Sequence, residues 1–258
     1  MKKFIAGLAL VAIVLATPVT QAESKKATVV LVHGAFADAS SWDGVIRILQ
    51  KNGYHIIAAA NPLRGVKSDA ATVSALLSTI PSPVVLVGHS YGGSVISEAA
   101  NGHENVKALV YVAAFAPDAG ETAAGLSGKF PGSTLGPALA APVSLTGRDK
   151  DLYIDQGKFH AQFAADVSAA AANVMAITQR PITEAALNEP STTPAWKVIP
   201  AWFVYGDQDK NIPSQALAFM AERARSRQTV VVKGASHVVM VSNPDKVAGL
   251  IETAANAR

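Results

Sequence analysis

The stretch VVLVGHSYGG, residues 84–93, decides the fold. Val84 to Val87 are apolar without alternation, as in a strand buried on both faces of a parallel sheet. Gly88-His89-Ser90-Tyr91-Gly92 then fits G-x-S-x-G, and a helical segment follows at once. A serine on a tight strand-to-helix turn projects its Oγ at the C-terminal edge of a sheet. The glycines two positions either side let strand and helix pass without Cβ clashes. Alone, the pentapeptide arises often by chance. Between such a strand and helix it marks Ser90 as a nucleophile rather than a structural serine.

A serine hydroxyl is a poor nucleophile until a base takes its proton, and histidine is the usual base. The chain has six histidines. His33 and His89 lie in glycine-containing turns at strand ends, where packing or hydrogen bonding accounts for them. His55 starts a strand, His103 follows a helix, and His160 lies in a segment outside the strand–helix rhythm. His237, in KGASHVVMVSNP, comes just after the last strand and before the last helix, at the same sheet edge as Ser90. The base in turn needs a carboxylate to hold its Nδ1–H, and in this type of fold the chain order is Ser, acid, His. FVYGDQDKNIP, residues 203–213, lies in that interval beyond a strand and offers Asp207 and Asp209.

The same alternation extends along the chain. Strands are expected at 27–33, 55–60, 83–88, 106–114, 200–206 and 229–234, and helices near 40–51, 68–79, 91–101, 214–225 and 244–255. The result is an α/β fold: a mostly parallel sheet of about six strands flanked by helices. From about 117 to 197 the rhythm breaks. Phe159, Phe163, Val167, Ala170, Val174 and Ile177 fall at helical spacing there, so this stretch is expected to be a helical cap inserted over one end of the sheet, with two ordinary helices packed on a sheet face as the alternative.

The first 22 residues read as a signal peptide. Lys2 and Lys3 precede an apolar run from Phe4 to Ala16, and Thr20-Gln21-Ala22 places small residues at a cleavage site after Ala22. The run is short for a membrane span, which needs ~20 residues. A periplasmic or secreted domain over 23–258, without stable membrane insertion, is therefore expected. Without the two leader lysines, twenty basic residues stand against nineteen acidic. That balance gives no nucleic-acid footprint, which needs positive charge gathered on one face. Arg223, Arg225 and Arg227 read as a solvated helix end. No cysteine is present, which excludes thiol nucleophiles and thiolate metal sites. There is no H-E-x-x-H and no glycine-rich phosphate loop, so neither metal nor cofactor is expected.

VLVHGAFADASSW, VVLVGHSYGG, GDQDKNIP and GASHVVMVSNP, in that order across 27–255, make the chain resemble an α/β-hydrolase. It is similar in particular to the small capped Ser-His-Asp hydrolases that include plant methylesterases and hydroxynitrile lyases. The family's acid turn, G-x-x-D-x-x-x-P, falls on Gly206, Asp209 and Pro213. The resemblance thus implies Asp209 as the acid, leaving Asp207 to cap backbone amides in an Asx-type turn. It also implies an oxyanion hole from the backbone N–H groups of Ala35 and Tyr91.

Hydroxynitrile lyases of the group carry threonine and lysine where this chain has Gly34 and Val238, so cyanohydrin cleavage is not expected. Dehalogenases and epoxide hydrolases use aspartate at the elbow, and Ser90 argues against both. Phe36, Tyr91, Phe115, Phe159, Phe163, Trp196, Val238 and Met240 are expected to line an apolar pocket for a small carboxylic ester. Two alternatives stay open. The triad could serve perhydrolysis (haloperoxidase-like) or lactone, amide or carbon–carbon hydrolysis, or the fold could be a slow-turnover small-molecule receptor.

Overall fold

The computed structural model describes residues 1, 26–147 and 149–257. Beyond Met1, the expected leader, with its cut after Ala22, falls on residues outside these. Among the described residues no helix is long and apolar enough to cross a membrane.

The chain begins with β1 (Thr28–Val32), α1 (Asp43–Lys51), β2 (His55–Ala59), α2 (Val66–Leu77), β3 (Val84–His89), α3 (Tyr91–Ala99) and β4 (Val106–Val112). It ends with β8 (Ala201–Gly206), α9 (Ser214–Arg223), β9 (Gln228–Val232), α10 (Val239–Ser242) and α11 (Pro244–Asn256). These six strands form one all-parallel sheet in the order β2-β1-β3-β4-β8-β9. Each strand expected from the sequence is present, and β1, β3 and β8 are buried along their whole length.

Strand order and right-handed crossovers together assign the helices to faces. The chain leaves β1 toward β2 but leaves β2 and β3 in the opposite direction, so α1 lies on one face and α2 and α3 on the other. The contacts agree: α1 packs with α11, and α2 with α3. The direction of winding reverses between β1 and β3. Their C-terminal ends therefore open a crevice where ligands bind in open α/β sheets.

Between β4 and β8 the chain passes through α4 (Ala123–Gly128), α5 (Leu135–Ala138), β5 (Val143–Ser144), β6 (Lys150–Leu152), α6 (Gln156–Phe163), α7 (Ala169–Thr178), β7 (Ile182–Thr183) and α8 (Glu184–Asn188). The purely helical expectation for this segment is corrected, because β5, β6 and β7 form a second, antiparallel sheet. Strands of two or three residues are too short to show a period of two. The apolar stripe over 159–177 does not form one face either. The Ser168 hydroxyl caps a new helix by accepting from Ala171 N–H, and Val174 and Ile177 end up exposed.

The basic helix end is also corrected at one position. Arg223 donates from both Nη atoms to Glu121 (2.9 and 2.7 Å) and to Ala116 O (2.8 Å), and its guanidinium packs over Trp196 and Phe219. Arg225 and Arg227 are exposed as expected.

Candidate active site

Ser90 sits between β3 and α3 with φ 52° and ψ −123°, a conformation that a Cβ-bearing residue adopts at a cost of about 1–3 kcal/mol. Three backbone hydrogen bonds hold it there. Ser90 N–H donates to Val112 O (3.3 Å), and Ser90 O accepts from Gly93 N–H (2.9 Å) and Phe115 N–H (3.1 Å). Gly92 lets the helix pass over β1, since a Cβ there would lie 2.6 Å from Val32 O.

The register of β1 on β3 pairs Val32 with Gly88. Continued past the strand ends, it brings Gly34 to Ser90, and Ala35 and Tyr91 line the same cavity. The close approach is real: a Cβ on Gly34 would lie 2.6 Å from Ser90 Cβ and 2.7 Å from His89 O. Among the described residues, neither the Ala35 nor the Tyr91 amide donates to a protein acceptor. The next amide, Phe36 N–H, is tied to Arg180 O (3.0 Å). Gly34→Thr, which installs the residue hydroxynitrile lyases carry there, is expected to displace Ser90. It should lower Tm by several degrees, at roughly 1–3 kcal/mol of overpacking. A thermal melt and fluorophosphonate labelling rate measure both effects.

His237 follows β9 and is fully buried. Its Nδ1–H donates to Asp209 Oδ2 at 2.6 Å, with both side chains sealed from solvent. Asp209 Oδ1 accepts from the backbone N–H groups of Asn211 (2.8 Å) and Ile212 (2.9 Å), so three donors converge on this carboxylate. His237 Nε2 is buried without a hydrogen-bond partner among the described residues. Asp207 does something different from the expected local turn. Its Oδ1 accepts from Gly234 N–H (2.7 Å), pinning the turn after β8 to the turn after β9. The Asx-type turn belongs to Asp209 instead.

His237 is wedged between rings, with centroids 4.8 Å from His89 and 5.1 Å from Phe163. His89 Nε2–H donates to His237 O (3.2 Å), which ties His237 to the residue preceding Ser90. Burial, reinforced by neighbouring His237, holds His89 well below the ordinary histidine value; burial also lowers His33. Both stay neutral in the folded state at pH values where the unfolded chain charges them. Stability should thus be full above about pH 6.5 and fall as pH drops toward their native values, by about 1.4 kcal/mol per pH unit for each group. Urea unfolding between pH 7.5 and 5.5 measures the slope, and His89→Gln should remove one of the two contributions.

Tyr91 is anchored by a residue the sequence reading missed. Its hydroxyl donates to Asp69 Oδ2 (2.9 Å), and Asp69 also accepts from Arg64 N–H, joining the elbow to the start of α2. Burial raises the Asp69 carboxyl above its ordinary value.

A cavity of about 340 Å³ opens over Ser90. The sheet edge contributes Ala35, Phe36, Tyr91 and Phe115, the segment between β4 and β8 contributes Leu135, Leu139 and Leu187, and the acid turn contributes Asn211 and Ile212. Four expected pocket residues do not line this cavity and are instead fully buried core: Phe159, Phe163, Val238 and Met240. Phe159 and Phe163 pack together, and Phe163 lies edge-on to Phe36. Trp196 also lies elsewhere, donating from Nε1 to Pro117 O (2.9 Å) beneath Arg223. Hydrophobicity alone does not separate a pocket wall from the core behind it.

The model of a family described as "Alpha/beta hydrolase family" matches residues 29–250. The chain is 27% identical over 250 residues to the alpha/beta hydrolase nvfD of Aspergillus novofumigatus, covering 89% of this chain and 97% of that protein. In structure it is similar to polyneuridine aldehyde esterase (TM-score 0.77, 18% identity, 88% of this chain and 98% of that one). It is also similar to a methylesterase from Arabidopsis (TM-score 0.69, 19% identity, 88% and 98%). At such identities the structural likeness concerns the fold. The family match runs from β1 into α11, and the chain belongs to the alpha/beta hydrolase family.

Proposed function

We propose that the protein hydrolyses small, uncharged carboxylic esters through an acyl-enzyme on Ser90. Ser90 Oγ attacks the ester carbonyl while His237 Nε2 takes its proton, and the carbonyl electrons collect on an oxyanion facing the Ala35 and Tyr91 amides. The oxyanion collapses, the alcohol leaves with the proton from His237, and water repeats the sequence to release the acid. The observation that carries this proposal is the sealed Asp209–His237 pair. It leaves one ring nitrogen buried and unpartnered, while Ser90, strained at the end of β3, fronts an apolar cavity. The esterase and methylesterase names of structurally similar proteins point the same way.

A fluorophosphonate probe with intact-mass detection is expected to label the protein once, at Ser90. Short-chain p-nitrophenyl esters should turn over. An unlabelled Ser90 sinks the mechanism, and single labelling with negligible turnover of any ester favours a receptor. We further propose that the protein is exported with cleavage after Ala22. Exported protein should begin at Glu23, and a retained Met1 overturns that.

A further inference from the structure

Given ester hydrolysis at Ser90 as proposed above, we infer that Asn211 reads a second, uncharged oxygen acceptor on the substrate. The cavity is apolar apart from five side chains: Ser90, Tyr91, Ser127, Ser133 and Asn211. Three of these have their protons directed into the protein. Tyr91 donates to Asp69, and Ser127 and Ser133 each donate to Asn211 O (2.9 Å). Of the other two, Ser90 is the proposed nucleophile, and Asn211 remains. It is only 3% exposed, its Nδ2 makes no hydrogen bond to the protein among the described residues, and that atom is not sealed off.

The orientation of this amide follows from its neighbours. Lys210 O can only accept, so the Gln162 group 3.0 Å from it is Nε2, and Gln162 Oε1 accepts from Thr134 Oγ1 (2.8 Å). The same Nε2 lies 2.7 Å from the Asn211 side chain, which must present Oδ1 to it. Nδ2 is left as a fixed N–H donor on a residue that lines a largely apolar cavity. The backbone is fixed too, since Asn211 N–H donates to Asp209 Oδ1.

An oriented donor in an apolar cavity favours a ligand that carries an acceptor and disfavours one that leaves it unpaired. No lining residue is charged, so the matching group is a neutral ether, carbonyl or hydroxyl oxygen rather than a carboxylate. The substrate class is therefore an ester with an additional oxygen function, not a plain alkyl ester.

The test uses matched esters in which one CH2 becomes O. These are p-nitrophenyl pentanoate against its 3-methoxypropanoate and ethoxyacetate isosteres, and butyl butanoate against 2-methoxyethyl butanoate. Each rate is divided by that for hydroxide. At least one oxa isostere is expected to exceed its all-carbon partner in kcat/KM by about tenfold, with the ratio falling to about one in Asn211→Leu and Asn211→Ala. Melting temperatures exclude a folding defect. If deacylation is slow, the labelling rates of alkyl and oxa-alkyl fluorophosphonates give the same ratios. No preference in the wild type, or one that survives both substitutions, overturns the role of Asn211 while Ser90-dependent hydrolysis stands. A Ser90 that no probe labels overturns both.

Discussion

Ser90→Ala is expected to lower kcat by about a million-fold on any ester the wild type hydrolyses, leaving KM and melting temperature nearly unchanged. The size follows from the site's arrangement. In the proposed mechanism the buried Asp209–His237 pair and the two amides act only on an attacking Oγ, so its removal idles the whole set at once. What survives is binding and oxyanion stabilisation acting on water. The fold should not respond, because alanine keeps the Cβ that makes φ 52° unfavourable, and the three backbone bonds around Ser90 remain. Ser90→Gly should be equally inactive but more stable by about 1 kcal/mol, since glycine adopts that conformation without strain. Comparing kcat and Tm of the two variants separates the chemical role from the conformational cost. Turnover by Ser90→Ala near the wild-type rate removes Ser90 from the mechanism.

Features written in neighbouring residues were legible in the sequence, and those depending on distant partners were not. The buried strands announced themselves as continuous apolar runs, and the elbow is complete within five residues. His237 could be singled out by its place after the last strand. Separating Asp209 from Asp207 needed the glycine-to-proline spacing of a family pattern. A local turn was then assigned to Asp207, although its partner Gly234 lies across the register of β8 and β9. Asp69 and Asn211 were missed for related reasons. The first reaches Tyr91 only through packing of α2 against α3, and the second becomes informative only once Gln162 fixes its amide. In the segment between β4 and β8, helices of four to ten residues and strands of two or three are too short for periodicity. The pocket walls they supply were therefore unreadable.

Asp209→Asn and Asp207→Asn are expected to differ by about four orders of magnitude in kcat, although the two residues are separated by one position. At Asp209 the Oδ1 position is committed to the amides of Asn211 and Ile212, which only donate, so an asparagine keeps its oxygen there and turns its NH2 toward His237. Nδ1 must then accept, the ring proton moves to Nε2, and the nitrogen that should take the serine proton presents one of its own. The geometry survives and the chemistry fails, with kcat down by about 10⁴. Among the described residues, the Asp207 side chain has Gly234 N–H as its only partner, to which an asparagine oxygen still accepts. Activity there should stay within about threefold, with a stability loss of about 1 kcal/mol at most. Initial rates at saturating ester, with urea unfolding alongside, measure both. If Asp207→Asn abolished turnover and Asp209→Asn left it intact, the acid of the site would be the other residue. The 2.6 Å contact to His237 would then be structural.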